Sequence, residues 1–131
     1  MTPKRFSKLY ERGSLCNTAT GFELAFKNTI APSTILEFGS LTVDGQAVAH
    51  DQILVRLERP SERIGREGTV REWPAKIIGG ERMVPFDLFT VARVQVTASP
   101  LPPGSHQVML AIRTREVGEM TLTAEDSIAP A

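Results

Sequence analysis

The sequence predicts an all-β fold, an antiparallel β-sandwich forming a single domain over residues 1–131. Three observations predict it. Short segments alternate apolar and polar side chains with the period of a half-buried strand. Turn signals separate these segments at intervals of about ten residues. No amphipathic run of about 10–12 residues, the length a helical layer needs, interrupts them.

The first strand is predicted over Gly21 to Lys27, where Phe22, Leu24 and Phe26 face one way and Glu23, Ala25 and Lys27 the other. A turn segment, Asn28 to Ser33, contains Pro32, and Thr34 to Val43 is then rich in β-branched and apolar residues. Asp44-Gly45 is a strong hairpin signal, because both residues tolerate positive φ. Gln46 to Ala49 returns, and Ile53, Val55 and Leu57 mark a further strand. The stretch from Arg59 to Lys76 has no clean period and predicts a long loop excursion between about residues 59 and 80. Pro85 to Phe89 predicts one helical turn with both phenylalanines inward. Val91 to Thr97 and His106 to Arg115 are the clearest strands, joined by a rigid proline corner, Ser99 to Gly104. Residues 1–20 and 117–131 read as extended arms, with a short strand at Met120 to Ala124. The predicted inward set is Phe22, Leu24, Phe26, Ile35, Leu41, Val43, Val55, Leu57, Val94, Val96, Val108, Leu110 and Ile112, with Trp73 capping one end.

The chain is 41% hydrophobic and 23% charged, which suits a folded domain. Fifteen basic residues balance fifteen acidic ones, so no bulk positive field recruits nucleic acid or anionic lipid. Apolar runs are too short for a membrane helix, and no signal-peptide core follows Lys4, Arg5 and Lys8. Cys16 is the single cysteine, which fits a reducing compartment, and the expected location is the cytoplasm.

Few residues carry catalytic chemistry. His50 and His106 lack metal-ligand spacing and read as ordinary exposed histidines. Cys16 has no nucleophile hallmark and reads as an inert thiol. The pairs Asp44/Asp51 and Glu125/Asp126 lie near turns, where carboxylates are usually solvated caps. Gly79-Gly80 and Gly65 to Gly68 match no phosphate-binding fingerprint. Arg56, Arg59, Arg63, Arg66 and Arg71 alternate with Glu58, Glu62, Glu67 and Glu72, a solvated loop first and an anion- or partner-binding stretch second. Trp73, Phe86 and Phe89 read as satellite core or as interface anchors. No catalytic, cofactor-binding or metal-binding residue is assigned.

Several segments together resemble the β subunit of bacterial C-glycoside deglycosidases: Gly21-Phe22 leading to Phe26-Lys27-Asn28, Thr42-Val43-Asp44-Gly45, Trp73-Pro74, and Pro103-Gly104-Ser105-His106 leading into Val108. The resemblance spans most of Gly21 to Arg115. It implies a small β-sandwich without a cofactor of its own, paired with a catalytic α subunit of the sugar-isomerase-like barrel type that holds manganese or magnesium. Enzymes of that family cleave the carbon–carbon bond of 3-keto C-glycosides by deprotonation and elimination. Trp73, Phe86 and Arg71 are the expected partner-interface residues. The competing expectations are a stand-alone carbohydrate-binding module, for which the chain has few aromatic rings to spare, and a homo-oligomeric structural protein.

Overall fold

The computed structural model describes residues 4–6, 8–60, 68–79 and 82–130, and it is an all-β sandwich. Its strands are β1 (Lys4–Phe6), β2 (Cys16–Asn17), β3 (Gly21–Lys27), β4 (Ser33–Val43), β5 (Gln46–Val48), β6 (Ile53–Arg59), β7 (Thr69–Pro74), β8 (Val84–Phe86), β9 (Val91–Thr97), β10 (Gly104–Thr114) and β11 (Gly118–Ile128). One sheet has the order β1-β11-β10-β4-β5, with β8 also on β4; the other has the order β2-β3-β9-β6-β7. Neighbours are antiparallel except β1, which runs parallel to β11.

Alternation builds the core. Every residue of the predicted inward set is buried, and Leu24, Phe26, Leu41 and Leu122 are among the side chains sealed between the sheets. The Asp44-Gly45 turn has φ of 53° and 82°, the mirror-image geometry a two-residue hairpin demands, and it aligns Val43 with Gln46. Gly21 is fixed by contact instead: a Cβ there would lie 1.9 Å from the Val96 carbonyl oxygen. On β4, register shifts opposite Ala111/Ile112 and Arg113/Thr114 bend the strand around the core.

Five sequence expectations change. The excursion between residues 59 and 80 holds strand β7, paired from Arg59↔Thr69 to Leu54↔Pro74 with β6. Residues Thr69 to Glu72 are exposed, so this edge strand carries no apolar alternation to read. Arg63, Arg66, Glu62, Glu67, Gly65 and Gly80 lie outside the described residues. The C-terminal arm is instead β11, eleven residues paired along the whole of β10, with Met120, Leu122, Ala124 and Ile128 buried.

The N-terminal arm is also tied down. The Lys27 amide donates to the Leu9 carbonyl at 2.7 Å and the Glu11 amide to the Ala25 carbonyl at 2.9 Å, and Leu9 and Leu15 are buried. The predicted helical turn at Pro85 to Phe89 is strand β8 followed by a turn, and the two phenylalanines separate: Phe86 is buried and Phe89 is 52% exposed. Trp73 does not cap an end. It sits half-buried in mid-β7 opposite Val55, packed on the core's flank, with the Arg82 guanidinium 4.8 Å from its ring centroid.

Candidate functional site

Polar chemistry is densest at the proline corner. His106 continues the inward row of β10, in phase with Val108, Leu110 and Ile112, and is buried rather than exposed as expected. Its Nδ1 lies 2.6 Å from Asp44 Oδ2 and its Nε2 lies 2.7 Å from the Pro102 carbonyl oxygen. Both partners are acceptors, so satisfying both requires both ring nitrogens to donate, as only the imidazolium can. The Asp44 hydrogen bond, then the Pro102 bond, accordingly raises the His106 pKa above the ordinary imidazole value. Asp44 is lowered by the same hydrogen bond and by the Gln107 amide, which donates to Oδ1 at 2.8 Å.

A cleft of about 720 Å³ opens beside this pair, floored by Phe22 and Val43 and rimmed by Asp44, Gln46 and Gln52. Two of its polar side chains are engaged within the fold: Gln52 donates to the Thr97 carbonyl at 3.0 Å, and both Asp44 oxygens accept bonds. The arrangement clips the proline corner to the β4–β5 turn, and neither nitrogen of His106 is offered to a bound molecule.

The other residues with catalytic side chains are held in similar ways. His50 is half-buried, its Nε2 against the Gly39 carbonyl and its ring edge-on to Phe38. Asp44 is committed to His106 while Asp51 sits in the 3-10 turn His50–Gln52. Asp126 accepts from the Tyr10 hydroxyl at 2.5 Å and from the Gly13 amide at 2.7 Å, whereas Glu125 accepts from Ser105 at 3.3 Å. The exposed Cys16 thiol has a raised pKa, from partial burial and the neighbouring Glu23, which disfavours thiolate. Among the described residues no three His, Cys, Asp or Glu side chains gather as a metal site, and no helix is long and apolar enough to cross a membrane.

Of the expected interface residues, Phe86 is in the core, Trp73 is half-buried and Arg71 is exposed. Arg71 and Trp73 share β7, and Phe86 lies on β8 in the other sheet. What the sequence reading missed is the opposite end of the sandwich from the proline corner. There the β3–β4 loop, the β8–β9 turn and the β10–β11 turn meet. Five of the eight exposed large apolar side chains among the described residues belong to it: Ile30, Val70, Leu88, Phe89 and Val117.

This end is held firmly. Asn28, itself buried, donates from Nδ2 to the Ala31 and Phe86 carbonyls at 2.6 and 2.7 Å, and its Oδ1 accepts from the Ile30 amide at 3.1 Å. Its carbonyl accepts from the Phe89 amide at 2.7 Å. Phe89 has φ of 67°, a left-handed conformation that costs a non-glycine residue about 1–2 kcal/mol. The signal available in the sequence was Asn28 before Pro32, an Asx-turn pattern, and it names the loop without revealing which aromatic faces out.

The fold and this end define a class, an all-β sandwich with its exposed apolar side chains crowded at one end. Within that class the chain belongs to the family described as hydroxymethylglutaryl-CoA reductase, N-terminal domain, which matches residues 6–129. A solved structure of a family 123 glycoside hydrolase from Clostridium perfringens is similar over 80% of this chain and 20% of its own, with 11% identity and a TM-score of 0.33. The chain thus spans about a fifth of that hydrolase's length. No curated protein matches the chain.

Proposed function

We propose that the chain is the β subunit of a heteromeric C-glycoside deglycosidase, a cytoplasmic β-sandwich without a cofactor of its own that supports a metal-dependent barrel subunit. The observation that carries this reading is the contrast between the two ends: the His106–Asp44 pair at the proline corner is consumed by internal bonds, while the loop end leaves Ile30, Leu88, Phe89 and Val117 exposed. Solvent-facing apolar side chains grouped this way fit a surface that a partner covers. The resemblance of Thr42-Val43-Asp44-Gly45, Trp73-Pro74 and Pro103-Gly104-Ser105-His106 to deglycosidase β subunits supplies the partner.

In such a complex the barrel subunit would hold the manganese or magnesium, and the metal would supply Lewis-acid chemistry for proton removal beside the 3-keto group. This chain's share is positional. The test is cleavage of a 3-keto C-glycoside by the chain alone, by its barrel partner alone, and by both with manganese. Activity in the mixture only is the expected result; equal cleavage by the unaided barrel overturns it.

The family match favours a second reading. The family is named for an N-terminal domain of a reductase, a piece that accompanies a larger enzyme. On this reading the sandwich supports a reductase catalytic part, and the complex consumes hydroxymethylglutaryl-CoA while leaving the C-glycoside intact. Both readings give the chain an accessory role.

A further inference from the structure

We infer that His106 is a pH-operated latch on the proline corner: its imidazolium holds residues 99–103 against the neighbouring cleft, and loss of one proton frees the corner and widens the cleft.

The latch follows from what the ring faces. Nδ1 lies 2.6 Å from Asp44 Oδ2 and Nε2 lies 2.7 Å from the Pro102 carbonyl oxygen, and a neutral imidazole has one N–H for these two acceptors. A bond to an ionised acceptor is roughly twice as strong as one to a neutral carbonyl, so the proton that stays is the one on Nδ1. Nε2 then presents a lone pair to the Pro102 oxygen. The bond to the corner is lost and the bond to Asp44 is kept, while the released proton passes to water in the cleft that His106 lines.

The corner is built to respond as a unit. Pro100, Pro102 and Pro103 fix φ at three of its five residues and bring no amide hydrogen that could tie it down elsewhere. Its other ties lie toward β2 and the β2–β3 turn. Asn17 accepts from the Leu101 amide at 2.8 Å and donates to the Leu101 carbonyl at 2.9 Å, and the Ala98 amide donates to the Thr20 carbonyl at 3.1 Å. Released by His106, the corner pivots about Leu101. Pro100 and Pro102 line the cleft together with Gln46 and Val48 of β5, so the pivot changes its width over the floor at Phe22 and Val43.

One charged group bonds the ring, Asp44 from the β4–β5 turn. From β11, Asp126 is the register partner of His106, but its carboxylate is taken by the Tyr10 hydroxyl and the Gly13 amide, with Arg12 of the arm acting on it. The corner, β5 and the cleft floor contribute no titratable side chain. Asp44 is held below the ordinary carboxylate range by its hydrogen bonds and stays ionised across neutrality. The Asp44 bond, then the Pro102 bond, raises His106, so the latch is shut below pH 6.5 and opens as the pH rises through the raised value.

The experiment is NMR on the full chain between about pH 5 and 9, the range in which histidines titrate. Long-range hydrogen–nitrogen spectra read the charge and tautomer of each ring, with His106→Gln assigning the His106 signals and His50→Gln assigning them by elimination if that variant does not fold. Carbon relaxation at the α-carbons of Pro102 and Pro103 reads the corner. The expected result is a charged His106 at the acid end and the Nδ1–H tautomer at the alkaline end. Order parameters at the two prolines are expected to fall from about 0.85 to below about 0.6 along the same titration curve, and to be independent of pH in His106→Gln. A corner that stays rigid while the ring titrates overturns the latch, as does a neutral ring with its proton on Nε2. A ring that keeps one charge state across the range also overturns it. Loosening that persists in His106→Gln, or that extends to Leu24 and Val94 in the core, assigns the motion to another group or to unfolding and overturns it equally.

Discussion

At the scale of single residues, the clearest consequence of the structure is a charged histidine inside the sandwich. His106 has a folded pKa above the ordinary 6.5, so its contribution is complete below that value and lost as the pH rises through the raised folded value. Asp44 has a folded pKa below the ordinary 3.8, so its contribution is present above that value and lost as the pH falls through the lowered one. The protein should therefore melt highest between about pH 4 and 6.5 as far as this pair is concerned. His106→Gln keeps a donor but not the titration. It should cost about 1–2 kcal/mol at pH 6, tempered by the half-exposed Asp44, and should remove the pair's share of the fall in melting temperature above neutrality. Calorimetry from pH 5 to 9 checks this. The sequence held the clue, since His106 is in phase with Val108, Leu110 and Ile112; its acceptors are Asp44, brought beside it by the pairing of β10 with β4, and the Pro102 carbonyl in the preceding corner, and an apolar–polar period displays neither.

Elements were legible in proportion to how differently their two faces are buried. Strands β3, β6, β9 and β10 each set an apolar row against a polar one, and their predicted limits lie close to the observed ones. Strand β7 is exposed over most of its length and β8 is three residues around Pro85, so neither writes a period into the sequence. Of strand β11 only Met120 to Ala124 reads as a strand in the sequence, because Glu119, Glu125 and Asp126 give its ends the composition of a solvated segment. Its interior is nonetheless core: Leu122→Ala should cost about 3–5 kcal/mol in urea unfolding, as for other sealed leucines. Two glycines should separate by mechanism. A Cβ at Gly45 meets nothing within 4 Å, so Gly45→Ala should cost only the strain of its positive φ, about 1–2 kcal/mol. Gly21→Ala must push β3 away from the Val96 carbonyl and should cost about 3 kcal/mol or more.

For the whole molecule, the legible part was the sandwich and the illegible part was its polarity from end to end. Composition announced a neutral, ordinary domain, and periodicity announced which side chains face inward. Neither states where the loops converge, because the apolar end is assembled from residues as far apart as Ile30, Phe89 and Val117. The same assembly explains why Trp73, Phe86 and Arg71, chosen for residue type, do not form one patch. If the loop end docks on a partner, mixing with that partner should bury apolar surface and give a negative heat-capacity change on calorimetric titration. A heat-capacity change near zero would rule out an apolar contact of this kind.

The way the sheets interlock also sets the order in which the chain can mature. Hairpins β4–β5, β6–β7 and β10–β11 join neighbours in the sequence, but the central seams do not: Gly21 pairs with Thr97, and Val43 pairs with Val108. Those seams must close long loops before any of their bonds form, so refolding should take milliseconds to seconds, not microseconds. On the ribosome, neither sheet can be completed until β9 and β10 have been synthesised. Through that interval β3, with Phe22, Leu24 and Phe26, has only the two-residue β2 and a bridge from Tyr10 to pair with and lacks β9, making the first half of the chain the stretch most dependent on protection from aggregation.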